Sequence, residues 1–338
     1  MDEKSKFELV KRNTAEIVGE DELKKLLKKK KKPVVYLGWS ITGKTHLGYF
    51  VPVIKLGDFL KAGFSVKILL ADLHGALDNT PWNLLEHRFE YYSKTIPLMF
   101  NAIGVDTKEL EIVKGSEFQL APEYCFDVLK MSSFTSVNDV KRAGSEVVKF
   151  GDNPKLSGLI YPIMQALDEE YLKVDVQYGG IDQRKILMFA RENLPKIGYE
   201  PRIEIMTPLI PGLVGKKMSA SHEKTRIDLL DSEKIVLDKV KGSDMVAGNP
   251  DNFVMSFLKY VIMVIKEDKK EKFIVERDEK YGGNLEYSNY EDIEEDFVSK
   301  KIHPLDLKNS VAKEIFNLLK PIQKNRKELE KIGKKGYS

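Results

Sequence analysis

The stretch Val34–Phe50, VVYLGWSITGKTHLGYF, decides the fold of this 338-residue chain. It predicts a short apolar strand over Val34–Leu37, a turn rich in Gly, Thr and Ser, and a helix that begins near His46. A strand, a tight turn and a helix in succession direct backbone N–H groups and the positive end of the helix dipole toward one point. The stretch therefore predicts a phosphate site after the first strand.

Apolar strands and helical segments alternate along the first two thirds of the chain. Strands that are apolar throughout are typical of a parallel sheet covered by helices on both faces, so the pattern predicts a Rossmann-like α/β fold. The further predicted strands are Val66–Leu70, Glu111–Lys114, Val174–Gln177 and Arg202–Met206. The predicted helices are residues 1–32, His46–Ala62, Trp82–Ile103, Tyr124–Phe134, Val137–Phe150, Pro154–Leu172 and Ile181–Asn193.

The pattern changes near residue 231. Helical periodicity dominates beyond it, as in Phe253–Lys266, with charged stretches between the helices. We therefore expect a sheet domain over residues 1–231, with a helical insertion at about 116–152, and a mainly α-helical domain over 232–338. The charged tail from Lys327 onward is expected to fray.

The composition fits an enzyme of a reducing compartment. Lys and Arg number 55 and Asp and Glu 52, so the net charge of +3 neither requires nor excludes a nucleic-acid partner. A single cysteine, Cys125, excludes an intramolecular disulfide framework. The sequence has no CxxC or HExxH pattern, no secretory leader pattern and no apolar run of membrane length. We therefore expect a cytoplasmic protein without a structural metal, an organic cofactor or a membrane partner.

Two interpretations of the opening stretch compete. Gly38–Thr45, GWSITGKT, satisfies the P-loop pattern GxxxxGK[ST], in which Lys44 would bind phosphate. The strand ILLAD, which ends at Asp72, resembles a Walker B strand. Against a P-loop, Trp39 and Ile41 put bulk into a loop that must wrap closely around phosphates. A P-loop NTPase is thus one alternative.

Polar residues farther along stand where a structural helix would carry apolar ones. Tyr161, Gln165 and Asp168 are spaced at i, i+4 and i+7, so they share one face of a helix. The segment Gly179–Lys185, GGIDQRK, follows, and its two glycines allow a ligand to approach the backbone closely. An amphipathic helix with a polar outer side would show the same spacing. The spacing alone leaves a pocket and a solvated helix face both open.

The loop around Lys217–Ser221, GLVGKKMSAS, is rich in Lys and Ser. Such a loop can close over a triphosphate and stabilise charge on departing pyrophosphate. Taken alone, it is more commonly a solvated surface loop. Its position after a strand–turn–helix phosphate motif favours the nucleotide interpretation.

In this order the motifs make residues 8–324 resemble the tyrosyl-tRNA synthetases of archaea and the eukaryotic cytosol, which are class I aminoacyl-tRNA synthetases. Thr42–Tyr49 resembles their HxGH box, KMSAS their KMSKS loop, and YPxxQxxD with GGxxQRK their amino-acid pocket. The resemblance implies activation of L-tyrosine with ATP and Mg²⁺, followed by transfer to tRNA(Tyr). It also implies that residues 232–338 form an anticodon-binding domain.

The resemblance assigns roles to individual residues. Tyr36 and Asp168 would bind the phenol hydroxyl, and a site built for that hydroxyl rejects phenylalanine by about 10⁴–10⁵-fold. The α-amino group would be held by Tyr161, Gln165 and Gln183, with Gln177 near the ring. ATP would be bound by Gly38, Thr42, Gly43, His46, Gly48, Gly180, Asp182, Lys217 and Met218. The catalytic phosphate contacts would come from His46, Lys217, Ser219 and Ser221.

The resemblance also implies tRNA contacts and a homodimer. Arg184 and Lys185 would meet the acceptor stem, and Tyr281, His303 and Asp306 would read the anticodon. A solvated helix face and a helix-capping turn are the plain structural interpretations of these two groups. The insertion would form the dimer, and its apolar residues are Phe126, Leu129, Met131 and Phe134.

Two positions depart from the class I pattern. Tyr49 replaces the second histidine of the first motif, and Ala220 replaces the second lysine of the second motif. Both changes remove a group that can be cationic, and Lys216 is one candidate to supply the missing charge. A synthetase-derived RNA-binding protein without catalysis is therefore a further alternative.

Overall fold

The structure is a computed structural model that describes residues 1–148, 150–215 and 226–337. Its central sheet has the strand order β1-β6-β5-β2-β3-β4 and consists of β1 (Glu16–Val18), β2 (Val34–Ser40), β3 (Ser65–Ala71), β4 (Leu110–Lys114), β5 (Val176–Gly180) and β6 (Ile203–Thr207). Only β1 runs antiparallel to its neighbour. The predicted Rossmann-like α/β fold with a parallel sheet is confirmed.

Helices cover the sheet and build the rest of the chain. They are α1 (Glu3–Lys11), α2 (Glu20–Lys29), α3 (Phe50–Lys61), α4 (Asp72–Leu77), α5 (Leu85–Ala102), α6 (Pro122–Ser132), α7 (Val137–Ala143), α8 (Leu156–Tyr171), α9 (Arg184–Asn193), α10 (Glu233–Lys241), α11 (Phe253–Phe257), α12 (Met263–Lys269), α13 (Tyr290–Val298), α14 (Pro304–Gln323) and α15 (Arg326–Tyr337). A short hairpin, β7 (Phe273–Val275) and β8 (Leu285–Tyr287), lies among the later helices. None of the helices in the described ranges is both long and apolar enough to span a bilayer.

The strand order creates a crevice at the centre of the sheet. β2 pairs with β3 on one side and with β5 on the other. The chain therefore moves outward from β2 to β4 and returns to β5 on the opposite side. Ligands of open α/β sheets bind outside the carboxyl ends of the strands at such a switch point. The fold thus directs attention to the residues that follow β2 and β5.

The expectation that residues 1–32 are helical throughout is wrong. β1 interrupts the two helices and pairs in register with the edge strand β6, with Ile17 opposite Ile205. Asn13 and Gly19 have φ of 57° and 91°, which turn the chain before and after β1. The free edge of β6 supplies hydrogen-bond partners that no local helical preference reveals.

Two predicted helix bounds are also wrong. The helix predicted from His46 begins at Phe50, because His46 is extended (φ −140°, ψ 177°) and Leu47–Tyr49 form a single 3₁₀ turn. The helix predicted over Val137–Phe150 ends at Ala143.

The expectation of a frayed tail is wrong as well. α15 lies against α5, with Leu329 and Ile332 buried and the Tyr337 ring 5.4 Å from that of Tyr91. Its charged residues occupy the outer face, so the segment is amphipathic although its overall composition is polar.

An ion network joins distant parts of the chain. The guanidinium of Arg12 donates to Asp58 of α3 and, at 2.8 Å, to Asp268 of α12. Lys61 donates to the same Asp268 carboxylate at 2.5 Å. The buried ammonium of Lys55 donates to the carbonyl of Val10 at 2.7 Å. The end of α1 is thereby attached to both the sheet region and the later helices.

Candidate active site

A cavity of about 340 Å³ opens at the switch point outside β2 and β5. Several residues that the sequence analysis assigned to ligand binding line it together: Gly38, His46, Gly48, Gln165, Gln177, Gly180, Asp182 and Gln183. Trp39, Thr207 and Leu209 also line the cavity, although the sequence did not single them out as ligand contacts. The cavity therefore combines apolar walls with a few convergent polar groups, as small-molecule sites commonly do.

Gly180 is required by this geometry. A Cβ atom at that position would lie 2.6 Å from the Asp182 carboxylate and 3.0 Å from Leu209. A larger residue would displace the Asp182 side chain from its place in the cavity wall. The predicted close approach to the backbone at GGxxQRK is consistent with this crowding.

His46 forms one end of the cavity, which we call the histidine end, together with Gly38, Gly48 and Tyr49. The imidazole is buried, and its Nδ1 accepts the N–H of Gly48 at 3.2 Å, which caps the 3₁₀ turn. Burial, followed by the charge of Arg226, lowers the pKa of His46 to about 4. The ring is therefore neutral at pH 7, and its Nε2 can donate to a ligand while Nδ1 accepts the backbone hydrogen bond.

The histidine end is joined to the chain that follows residue 225. His46 forms an antiparallel bridge with Asp228, and the N–H of Leu47 donates to the carbonyl of Ile227 at 2.9 Å. Residues 216–225 lie outside the described ranges, and with them the predicted Lys217, Met218, Ser219 and Ser221, as well as Lys216 and Ala220.

Thr42, Gly43 and Lys44 are not among the residues that line this cavity. The carbonyl of Gly43 accepts the hydroxyl of Tyr92 at 2.7 Å, and the carbonyl of Thr42 accepts from α5 as well. Lys44 lines a different cavity, of about 400 Å³, together with Tyr91 of α5 and residues of α15. A P-loop needs its lysine at the strand-end phosphate site and a helix opening directly after it. Neither condition is met, so the NTPase alternative is not favoured.

Asp168 is the centre of a buried cluster beyond the residues that line the cavity, which we call the buried end and define as Tyr36, Gln119, Tyr124 and Asp168. Its side chain is 1% exposed. One carboxylate oxygen accepts the amide of Gln119 at 2.8 Å and the hydroxyl of Tyr124 at 2.9 Å. Burial raises the pKa of Asp168 to about 8, and these two donors oppose the rise. A hydroxyl can therefore find either an acceptor or a donor at this carboxyl group.

His74 approaches the other oxygen of Asp168, with Nε2 at 3.7 Å. Burial lowers the pKa of His74 to about 4, so the pair is not an ion pair at neutral pH. The ring of His74 meets that of Tyr161 edge to face, with centroids 4.6 Å apart. This contact connects Tyr161 to the buried end.

Hydrogen bonds connect the buried end to the cavity wall. The hydroxyl of Tyr36 donates to the carbonyl of Gln165 at 3.3 Å. The amide of Gln165 donates to Gln183 at 3.2 Å. Gln177 stands beside Tyr36 in the sheet register, and its buried amide oxygen has no hydrogen-bond partner in the described structure. The residues predicted to hold tyrosine are thus contiguous, with Tyr36, Asp168 and Tyr161 beyond the lining residues.

Sequence reasoning missed three members of this cluster: His74, Gln119 and Tyr124. His74 follows the carboxyl end of β3, and Gln119 follows that of β4. Polar residues directly after parallel strands lie at the ligand edge of the sheet, so this position was an available signal. Tyr124 had no such signal, because it comes from the helical insertion.

Arg184 and Lys185 lie exposed at the start of α9. Arg184 donates to Glu16 of β1 at 2.7 Å, and Lys185 donates to Glu146 at 2.8 Å. Both cations are therefore held in place by carboxylates at the surface. A nucleic-acid phosphate would have to compete with these exposed pairs, whose strength is modest.

The residues predicted to read the anticodon lie on or near a turn at Gly282 and Gly283. Tyr281 is 65% exposed and precedes Gly282, whose φ is 95°. Arg277 donates to the carbonyls of Gly283, at 2.9 Å, and Lys301, at 3.3 Å, which brings the glycine turn toward the start of α14.

His303 caps α14: its Nδ1 accepts the N–H of Leu305 at 3.2 Å. Asp306 lies in the first turn of the same helix. The capping interpretation of the HPLD motif is therefore correct for His303. Capping leaves the second ring nitrogen and the Asp306 carboxylate available to other partners.

The insertion exposes an apolar surface on α6. Phe126, Leu129 and Phe134 are 65%, 70% and 41% exposed, whereas Met131 is buried. Three of the four apolar residues that the sequence analysis named in the dimer-forming insertion are thus on the surface.

Comparison with known proteins identifies the family. The family model of tRNA synthetases class I (W and Y) matches residues 28–320. The cytoplasmic tyrosine–tRNA ligase of Xenopus tropicalis is 48% identical over 98% of this chain, and that of Saccharomyces cerevisiae is 44% identical over the full chain and 89% of the yeast protein. The tyrosyl-tRNA synthetase of Archaeoglobus fulgidus, solved with L-tyrosine, is 41% identical to this chain and superposes with a TM-score of 0.89. The match covers 97% of this chain and 100% of the Archaeoglobus chain.

The chain belongs to the class I tRNA synthetases of the W and Y group. Within that group, the relatives that match nearly all of it are named tyrosine–tRNA ligases, so the resemblance found in the sequence is confirmed. The chain spans 63% of the length of the Xenopus relative.

Proposed function

We propose that this protein is a tyrosine–tRNA ligase that acts in the cytoplasm. In the first step, a carboxylate oxygen of L-tyrosine attacks the α-phosphorus of ATP, and the bond to the bridging oxygen breaks to release pyrophosphate with its Mg²⁺. In the second step, a ribose hydroxyl of the terminal adenosine of tRNA(Tyr) attacks the activated carbonyl and AMP leaves. Both steps need positioning and charge stabilisation rather than a protein nucleophile.

The observation that carries this proposal is the buried carboxyl of Asp168, placed beyond the wall of a switch-point cavity. A buried acceptor with fixed donors costs free energy unless a ligand hydroxyl completes its hydrogen bonds. Together with Tyr36 it forms a site for a phenol. Tyr161, Gln165 and Gln183 then hold the α-amino group, and Gln177 lies beside the ring.

The histidine end receives the nucleotide. The Nε2 of neutral His46 donates to a phosphate oxygen, and Gly38, Gly48 and Gly180 allow ATP to lie close to the backbone. Asp182 accepts from the ribose. On sequence grounds, Thr42, Gly43, Lys217 and Met218 complete the ATP site, and Lys217, Ser219 and Ser221 bind the departing pyrophosphate. Magnesium arrives with the phosphates of ATP, and no metal ligand of the chain is assigned.

The remaining parts of the chain serve tRNA and assembly. Residues 1–231 form the catalytic domain and residues 232–338 the anticodon-binding domain. Arg184 and Lys185 meet the acceptor stem, while Tyr281, His303 and Asp306 read the anticodon. Exposure of the Tyr281 ring supports this role, since an unstacked base needs an aromatic platform.

The insertion at residues 116–152 forms a homodimer. The exposed apolar side chains of Phe126, Leu129 and Phe134 support this assignment, because a second copy would remove them from water.

ATP–pyrophosphate exchange in the absence of tRNA tests the activity. Exchange that requires L-tyrosine supports the ligase. ATP hydrolysis that is independent of tyrosine would support an NTPase instead, and RNA binding without either activity would support the non-catalytic alternative.

The two-domain assignment is tested by Tyr281→Ala. Loss of one base-stacking contact should lower kcat/KM for tRNA charging about 10-fold while tyrosine activation stays at the wild-type rate. Charging at full efficiency, or equal loss in both steps, would contradict the assignment.

A further inference from the structure

Arg226 is a buried cation beside the histidine end. The residue is 6% exposed. Its Nε donates to a carboxylate oxygen of Asp228 at 2.8 Å, while its Nη1 is buried without a hydrogen-bond partner in the described structure. A buried guanidinium donor without an acceptor is costly, so the site has capacity for an anion.

Backbone contacts fix Arg226 next to the cavity. Asp228, its carboxylate partner, bridges to His46, and the carbonyl of Ile227 accepts the N–H of Leu47. The charge of Arg226 lowers the pKa of His46 and opposes the burial-driven rise in the pKa of the Tyr49 hydroxyl. Its guanidinium is therefore within electrostatic reach of two residues that line the cavity.

The part of the cavity lining that the structure describes contains no lysine or arginine. It contains one carboxylate, Asp182, and the neutral His46. Lys44 belongs to the separate cavity beside α15. A nucleoside triphosphate carries several negative charges, and further negative charge develops on the pyrophosphate as its bond to the α-phosphorus breaks. Positive charge just outside the described lining would stabilise both groups.

We infer that Arg226 binds the polyphosphate of ATP and the departing pyrophosphate, and supplies the positive charge that Tyr49 and Ala220 do not. This inference rests on the proposed function. The planar fork of arginine matches two phosphate oxygens and is always charged, so it needs no proton from a neighbour. Asp228 holds the fork through Nε and leaves Nη1 to the ligand. Because phosphate replaces no existing protein partner of Nη1, binding satisfies a donor rather than breaking an ion pair.

The test compares Arg226→Gln and Arg226→Lys with the wild type in tyrosine-dependent exchange and in calorimetric titration with inorganic pyrophosphate. We expect Arg226→Gln to lower the exchange kcat about 100-fold and to weaken pyrophosphate binding at least about 10-fold, with the Kd for tyrosine within twofold. For Arg226→Lys, the exchange kcat and the pyrophosphate affinity should lie between those of the wild type and Arg226→Gln, because lysine keeps the charge but lacks the planar fork.

Arg12→Gln is the matched control. It also removes a largely buried guanidinium paired with aspartate, but Arg12 is not among the residues that line or adjoin the cavity. Wild-type exchange and pyrophosphate binding in folded Arg226→Gln would overturn the inference. If Arg226→Gln does not fold, the same two measurements on Arg226→Lys test the inference, and wild-type exchange and pyrophosphate binding in Arg226→Lys would overturn it. If the wild-type protein shows no tyrosine-dependent exchange but binds pyrophosphate in a way that depends on Arg226, the anion site is supported and the proposed ligase function is contradicted.

Discussion

The histidine end of the cavity and the buried end beyond its wall are built in opposite ways. At the buried end, Asp168 of α8 accepts hydrogen bonds from Gln119 and from Tyr124 of α6, and all three side chains are buried. At the histidine end, His46 is held mainly by backbone groups of loops, and the neighbouring Arg226 keeps an unpaired donor.

In the proposed function, this difference places selection of the amino acid at the buried end and the phosphate chemistry at the histidine end. In the proposed function, the buried end selects the substrate: its polar groups are fixed before any ligand arrives, Gln119 Oε1 has no hydrogen-bond partner in the described structure, and a substrate without the correct hydroxyl leaves such groups unpaired. At the histidine end, Nη1 of the neighbouring Arg226 has no hydrogen-bond partner in the described structure, and in the proposed function a phosphate oxygen supplies that partner. Substitutions at the two ends should therefore have different kinetic effects.

The largest effect is expected for Asp168→Ala. It removes the acceptor for the phenol and leaves the donors of Gln119 and Tyr124 unpaired, so tyrosine-dependent exchange should fall about 10⁴-fold. ATP binding, measured by titration with a non-hydrolysable analogue, should stay within about threefold, because the histidine end is unchanged.

Asp127→Ala is a suitable control. Asp127 is also buried and accepts the hydroxyls of Tyr171, at 2.8 Å, and Tyr199, at 2.5 Å. Its loss should lower stability without a specific loss of exchange. Wild-type exchange in Asp168→Ala would remove the distinction between the two ends.

A smaller effect is expected for His46→Asn. Asparagine can still accept the N–H of Gly48 and cap the turn, but it cannot place a donor where Nε2 lies. The exchange kcat should fall about 100-fold with little change in the Kd for tyrosine. A large loss of tyrosine affinity would show that the two ends are not independent.

The smallest effect concerns the pH dependence of stability. The pKa of Asp168 is about 8 in the folded protein and 3.8 in its reference state. Between these values the folded state binds the extra proton, so this group makes stability fall as pH rises. Asp168→Asn removes the effect while keeping an acceptor.

The Tm of Asp168→Asn relative to wild type should therefore increase from about pH 4 to pH 8, by on the order of 5 °C. Thermal unfolding of both proteins across that range is the measurement. Glu169 and Glu204, whose pKa values burial also raises, are present in both proteins and largely cancel in the difference. A constant difference in Tm would contradict the environment described for Asp168.

The parallel sheet was predictable because β2 and β3 carry apolar runs between helical segments. The polar face of α8 was predictable from spacing, and its assignment to tyrosine from resemblance. The edge strand β1 was not predictable, since Glu16–Val18 gain their hydrogen bonds only from β6. α15 was missed because its few apolar residues find a surface on α5 that is distant in sequence.

The residues of the site were likewise predictable only where they belong to a recognisable motif. Tyr36 and Asp168 belong to recognisable motifs, whereas Tyr124 comes from the insertion and carries no local signal of its role. Arg226 lies just beyond a motif and looks like an ordinary surface charge in the sequence. Its importance appears only when the bridge between His46 and Asp228 places it beside the cavity. Contacts between separate motifs cannot be read from either motif alone.

The attachment of Arg12 to Asp268 also affects the order in which the chain can fold during synthesis. The two residues are 256 positions apart. The helix α1 emerges from the ribosome early, but its last ion partner emerges only after the whole sheet has been made. Domains tend to fold as they emerge. The ion network at the end of α1 can therefore be completed only after α12 has been synthesised.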